Sequence, residues 1–285
     1  YFAAELKPYG PDVAASLAAW CLPIGLRWER FSRPLRLLSA AVVGGILVWL
    51  SFPVALVLAS VGSVEILTAL VRRRPSQAAA LGAVGSVWLA SFGASQAIAR
   101  RLLTDLEHMH AFWQFAFPPR TIEMLVWFAN RGVNLFANPL HFDTPLGPHA
   151  SATLAATLAV LGMAALGRRQ PDWLARLALP LLLVMLAAVA RAYPFHGRLL
   201  LFLTPALYLA IAEGIGRIGQ AIPSRWAFRG LLLVVFAWPV AEAWIRLVEP
   251  PFRTFSPFGD LRPNPFISLK PPPPAPSGKS GTGSQ

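Results

Sequence analysis

The chain has 285 residues, 55% of them hydrophobic and only 13% charged, and its mean hydropathy is +0.54. A soluble domain carries roughly 25% charged residues, and here the apolar residues come in blocks, not as a helical stripe. That excludes an ordinary soluble domain and points to an all-α, polytopic membrane protein. The net charge of +12 argues for no nucleic-acid partner, because the arginines cluster in short loops between apolar blocks, where they set topology.

About eight transmembrane helices are expected. The apolar segments are Val13–Leu26, interrupted by Pro23; Leu37–Leu50; Val54–Val71, entered through the Ser51-Phe-Pro53 turn; Ala78–Ala99; Ala150–Gly167; Leu174–Ala190; Leu199–Ile215; and Gly230–Leu247. Proline disfavours helix at the residue before it, which sharpens the turn at Phe52. Several segments fall below the ~20 residues that span a bilayer comfortably, and flanking Arg and Trp make up length by snorkelling. The single cysteine, Cys21, rules out a disulfide framework within the chain and reads as a small buried hydrophobe.

Charge orients the spans. Arg27, Arg30, Arg33 and Arg36 fill one loop, Arg72 to Arg74 the next, then Arg168, Arg169 and Arg176, then Arg217, Arg225 and Arg229, opposed only by Glu29 and Asp172. These loops are cytoplasmic by the positive-inside rule. The N-terminal stretch, the 100–149 loop, the Tyr193–Arg198 turn and the tail then share the outer face. Within the outer loop, Ala111–Phe117 and Ile122–Phe128 are aromatic and read as juxtamembrane helices in the interface. Residues 138–148 are turn chemistry. The transmembrane domain covers 1–249, and the Pro-rich 250–285 is expected to be a disordered outer tail.

Ionisable groups gather on that outer face: Glu5, Lys7, Tyr9 and Asp12; Asp105, Glu107, His108 and His110; Arg191, Tyr193, His196 and Arg198. Carboxylates there suit a general base, and arginines suit bidentate binding of a phosphate. Each group also has a plainer reading, as a solvated loop or an interface anchor. His108 and His110 alone do not define a metal site. Glu213 and Arg217, like Glu242 and Arg246, stand at ion-pair spacing on a helix. Glu65 lies deeper in an apolar run, where an arginine of the 72–74 cluster is its expected partner. No nucleotide loop, zinc-protease helix or nucleophile elbow occurs, and no repeated half-chain suggests a transporter.

Four stretches resemble one family. Glu5-Leu-Lys-Pro-Tyr-Gly-Pro-Asp12 precedes the first segment, and Leu50-Ser-Phe-Pro-Val-Ala-Leu-Val-Leu-Ala-Ser-Val-Gly62 forms the first hairpin. Ala111-Phe-Trp-Gln-Phe-Ala-Phe-Pro118 lies in the outer loop, and Tyr193-Pro-Phe-His-Gly-Arg-Leu-Leu-Leu-Phe-Leu-Thr-Pro205 joins two late segments. In this order they resemble bacterial GT-C-type integral-membrane glycosyltransferases, the branch related to protein mannosyltransferases and aminoarabinose transferases, over about Glu5 to Pro263. The resemblance implies transfer of a sugar from a polyprenyl-phosphate donor to an acceptor at the outer face of a bacterial plasma membrane. It implies that Arg198, His196, Arg191 and Lys7 bind the donor phosphate, and that Glu5, Asp12 and Tyr9 position the acceptor or a metal. No cofactor is required by these residues, although a divalent cation would help neutralise the phosphate. The family's catalytic aspartate falls in an outer loop upstream of Tyr1, and the chain starts without methionine, so a preceding segment is expected and this stretch alone need not be active. Beyond about Asn264 the Pro-rich tail departs from the family. The alternatives are a non-catalytic membrane scaffold or accessory subunit with other membrane subunits as partners, and a lipid-linked-saccharide ligase of another family.

Overall fold

The computed structural model describes residues 9–26, 31–102, 113–137, 140, 142, 150–222 and 224–248. The chain divides into two units, Tyr1–Ala243 and Trp244–Gln285, and of the second only the helix end to Val248 is described. The protein is an all-α polytopic membrane protein, and among the described residues there is no strand. The helices are α1 (Tyr9–Leu26), α2 (Arg33–Leu50), α3 (Val54–Val71), α4 (Pro75–Leu102), α5 (Met124–Ala137), α6 (Ala150–Arg169), α7 (Pro171–Val189), α8 (Thr204–Ala221) and α9 (Arg225–Val248). Short 3-10 turns run over Gln114–Ala116 and Gly197–Leu203.

Proline marks the starts. It stands in the first turn of α2, α7 and α8 and opens α4, positions where its missing N–H is not needed and its fixed φ suits a helix. Val54–Val71 is helical over the range its apolar run predicts. Elsewhere helix continues past the apolar block into the flanking charges, to Arg33 at one end of α2 and to Arg169 at the end of α6. A charged residue ends an apolar segment without ending a helix.

Six helices are long and apolar enough to cross a membrane: Arg33–Leu50, Val54–Val71, Pro75–Arg101, Ala150–Arg169, Pro171–Val189 and Leu199–Ala221. The first and last of the about eight expected segments are helical as well, and these six lie between them. The outermost two segments are helices, α1 and α9, but they dilute their apolar runs. α1 contains Gly10, Pro11, Asp12 and Pro23, and α9 contains Arg225, Arg229, Glu242 and Arg246. Large apolar side chains point away from the protein, with Val71 74%, Leu89 70% and Val160 67% exposed, as expected of a surface that meets acyl chains. Cys21 faces outward as well, which corrects its reading as a buried hydrophobe: the inward face of α1 is taken by Ala15, Ser16, Ala19 and Trp20.

Without a hydrophobic drive between helices, packing rests on small residues and interhelical hydrogen bonds. α6 and α8 touch through bare backbone. A Cβ on Gly162 would lie 1.9 Å from the Ala210 carbonyl oxygen, and one on Gly214 would lie 2.0 Å from that of Leu158. α2 and α4 are stitched by side chains: Trp88 Nε1 donates to the Ala40 carbonyl at 3.0 Å, Ser91 Oγ to that of Gly45 at 2.8 Å, and Trp49 Nε1 to Ser91 Oγ at 2.9 Å. Gly44 is the space in which the Trp88 ring sits, since a Cβ there would come within 2.2 Å of Nε1.

Gly162→Ala is expected to destabilise the protein in detergent by roughly 2 kcal/mol or more, the scale of an overpacked core. Gly216→Ala, on α8 where a Cβ meets nothing within 4 Å, is expected to be neutral or slightly stabilising. Thermal unfolding of the two variants side by side checks this.

Candidate functional site

One end of the bundle gathers described residues from all four family-like stretches. The Tyr193–His196 turn is fixed from two sides. Tyr193 stacks on Phe52 of the α2–α3 turn with centroids 5.8 Å apart and planes at 11°, and its hydroxyl donates to the Leu199 carbonyl at 2.7 Å. Phe195 is 2% exposed. Its N–H donates to the Ala116 carbonyl at 2.9 Å, and its ring meets Phe128 of α5 edge-on at 5.4 Å. His196 is thereby held against Phe115 at 5.0 Å and Trp113 at 6.1 Å.

α5 supports the loop. Its Phe128, Leu135 and Phe136 face inward, while Leu125 and Val126 stand 66% and 63% exposed, the two-sided apolarity of a helix lying in the interface. The expected helix over Ala111–Phe117 is reduced to the single 3-10 turn Gln114–Ala116, with 111 and 112 outside the described residues. Arg131 Nη2 donates to the Phe115 carbonyl at 3.3 Å, and its guanidinium lies 5.3 Å from the Trp127 ring centroid. Arg131 was not among the sequence candidates. The signal for it was Trp127 and Arg131 at i and i+4, a pair that meets on one helix face.

Asp12 opens this end from α1. It is 8% exposed, with Ser16, one turn on and fully buried, on the same face. Burial raises the Asp12 pKa above 3.8, and the neighbouring Ser51 hydroxyl lowers it by a smaller amount. Ser51 faces Asp12 without completing a hydrogen bond: the hydroxyls of Ser16 and Ser51 are buried and have no hydrogen-bond partner among the described residues. Buried polar groups are normally satisfied, so a buried carboxyl and two open hydroxyls mark this part of α1 and the α2–α3 turn. α1 packs against the 3-10 segment that follows His196. A carboxyl held neutral to higher pH by burial suits exchange of a proton with a bound hydroxyl.

Of the candidates, Asp12, Tyr193 and His196 share this end. Arg191 closes α7 there with φ at 55°. Tyr9 begins α1 and Arg198 lies in the 3-10 segment, and both side chains fall outside the described atoms. Glu5, Lys7, Asp105, Glu107, His108 and His110 lie outside the described residues, as does the tail from 249. Among the described residues no three His, Cys, Asp or Glu side chains gather as a metal site, so no residue is assigned to a divalent cation.

Two ion pairs differ from their expected partners. Glu65 is bound by Arg176 of α7, whose side chain is 1% exposed. The helix packing of α3 on α7 decides this, not closeness in sequence to Arg72. Glu213 pairs with Arg169 at 3.4 Å, while Arg217 turns to Gln220 at 3.1 Å.

Comparisons with protein-family models, with curated proteins and with solved structures give no match for this chain.

Asp12 binds its proton more tightly folded than unfolded. Its contribution to stability is therefore full below 3.8 and is lost as pH rises through the raised folded value. Asp12→Asn is expected to raise the melting temperature at neutral pH and to flatten its dependence on acid pH, read from unfolding scans across that range.

At Arg191 the left-handed backbone costs a residue with a side chain about 1 kcal/mol. Arg191→Gly is expected to recover that amount of stability and Arg191→Ala not to. Equal melting temperatures for the two variants would mean that the backbone there is unstrained.

Proposed function

We propose that the protein is a membrane glycosyltransferase that uses a polyprenyl-phosphate sugar at the aromatic end of the bundle. The observation that supports this is convergence. Four stretches chosen for their resemblance to one family, far apart in sequence, meet through the Tyr193–Phe52 stack, the Phe195–Ala116 hydrogen bond, the Phe115–His196 contact and the facing of Asp12 and Ser51.

On this reading an acceptor hydroxyl attacks the anomeric carbon as the bond from that carbon to the lipid phosphate oxygen breaks. The phosphate leaves on its lipid, and the acceptor proton passes to a carboxylate. Arg191, Arg198 and His196 are the residues this reading assigns to the leaving phosphate, where cationic donors stabilise the developing charge. Asp12 and the Ser16 and Ser51 hydroxyls orient the acceptor. Trp113, Phe115 and the outward apolar face of α5 receive the lipid chain at the interface. The basic end then faces the cytoplasm of a bacterial plasma membrane by the positive-inside rule.

The test is sugar transfer from a panel of polyprenyl-phosphate donors by the product of the complete reading frame in detergent. Turnover is expected in the wild type and a loss of roughly 100-fold or more in Arg198→Ala, the scale for removing one charge-stabilising donor. Absence of both turnover and donor binding in the folded wild type would overturn the proposal in favour of an accessory membrane subunit.

A further inference from the structure

The opposite end of the bundle holds a second arrangement with its own chemistry. A cavity of about 480 Å³ lies between α2, α3 and α4, lined by Arg33, Arg36, Arg72 and Arg74 with Thr68 and Gln77. Arg33 and Arg36 come from the first turn of α2, and Arg72 and Arg74 from the turn after α3. Arg73, at φ 55°, reverses the chain after α3, and the paired bonds from Arg74 N–H to the Ala69 carbonyl and from Arg73 N–H to that of Leu70, each 2.9 Å, lock the reversal. Arg72 and Arg74 then line the same cavity while Arg73 does not. Glu65 is the one acidic side chain on the wall among the described residues, and Arg176 engages it from behind. Four guanidinium groups in one concave site fit a phosphate, whose oxygens they bind in forks.

Beside this cavity an apolar groove of about 470 Å³ runs between α3 and α4, lined by Ile66, Gly82, Gly85, Leu89 and Phe92. The two share consecutive positions on both helices: Glu65 and Leu81 face the first, Ile66 and Gly82 the second. A Cβ on Gly82 or Gly85 would meet nothing within 4 Å, so these glycines do not serve close packing and leave the groove open. No aromatic ring lines the cationic cavity among the described residues, which gives a nucleotide base nothing to stack on.

We propose that this is a site for an anionic phospholipid, its headgroup phosphate among Arg33, Arg36, Arg72 and Arg74 and one acyl chain along the α3–α4 groove. The cationic and apolar halves abut in the order a phospholipid presents them, at the end of the bundle whose arginine-rich loops direct it to the anionic leaflet. The site is independent of the glycosyl-transfer reading, whose residues lie at the other end.

The experiment measures thermal unfolding and retained lipid by native mass spectrometry for the protein in detergent, titrated with phosphatidylglycerol, phosphatidylcholine or inorganic phosphate. Phosphatidylglycerol is expected to be retained and stabilising, and phosphatidylcholine not. The double variant Arg72→Gln/Arg74→Gln is expected to weaken phosphatidylglycerol binding about tenfold or more. Gly85→Leu, which fills open space, is expected to weaken the lipid while leaving any effect of inorganic phosphate intact. Should the double variant fail to fold, Arg33→Gln at the start of α2 takes its place with the same expectation. Equal retention of the two lipids, or unchanged binding in the arginine variants, would overturn the proposal. Inorganic phosphate matching phosphatidylglycerol, with Gly85→Leu without effect, would overturn the lipid and leave a free-phosphate site.

Discussion

The fold turns on a buried ion pair. Arg176 of α7 is 1% exposed and binds Glu65 of α3, which is 12% exposed. Taking either charge out of water alone costs several kcal/mol, and leaving one unpaired costs about 3–5 kcal/mol, so α3 and α7 are constrained to meet at this level. The same residue anchors α1, since Trp20 Nε1 donates to the Arg176 carbonyl at 3.2 Å. The Trp173 ring lies 5.1 Å from the guanidinium, covering it with a face that favours a cation. Three helices that are distant in sequence thus meet at one residue, α3 through its side chain and α1 through its backbone carbonyl. From Trp20 to Asp12, α1 rises about 12 Å, enough to carry a position fixed near the basic end towards the aromatic one.

That constraint gives the two ends different characters. At the basic end charge is solvent-facing and repeated, and Glu65, the one carboxylate on the cavity wall among the described residues, is bound by Arg176. At the aromatic end Asp12, Ser16 and Ser51 are buried, the two hydroxyls lack a hydrogen-bond partner among the described residues, and stacked rings fix the turn. A carboxyl buried in this way stays neutral to higher pH, whereas guanidinium groups in an open cavity stay charged. The first environment suits exchange of a proton with a bound hydroxyl, the second suits a standing anion.

The apolar blocks made the helices legible, because a segment without water must satisfy its backbone internally and only a helix does so. Val54–Val71 was readable to the residue. Alternation of arginine-rich and aromatic loops gave the two ends, and the turn around His196 was visible as the polar interruption between two apolar runs. What the sequence did not reveal depends on which helix packs on which. Glu65 had Arg72 nearby in sequence and Arg176 nearby in space. Ser16 and Ser51 are ordinary small residues until α1 is laid beside the α2–α3 turn. Gly162 and Gly214 look like any membrane-helix glycines until their backbones touch. The first and last expected segments are helices too, α1 and α9, and both carry prolines or charges that dilute their apolar runs.

The ends of α3 and α7 show how local chemistry and function pull apart. Both helices stop with the same two reversed hydrogen bonds, from Arg74 to Ala69 and Arg73 to Leu70 in one, and from Ala192 to Ala187 and Arg191 to Ala188 in the other. Glycine is the residue that this cap prefers, yet both places hold arginine at φ 55°. An arginine near a helix C-terminus recovers part of the strain through the dipole and the open carbonyls, but that holds equally for lysine-poor and arginine-rich caps anywhere, and glycine would cost less backbone energy. The two strained arginines stand one at each end, beside the cavity wall of Arg72 and Arg74 and before the Tyr193–His196 turn. Arg73 itself does not line that cavity, and its left-handed turn sets Arg72 and Arg74 on one wall, whereas Arg191 stands just before the turn that carries His196.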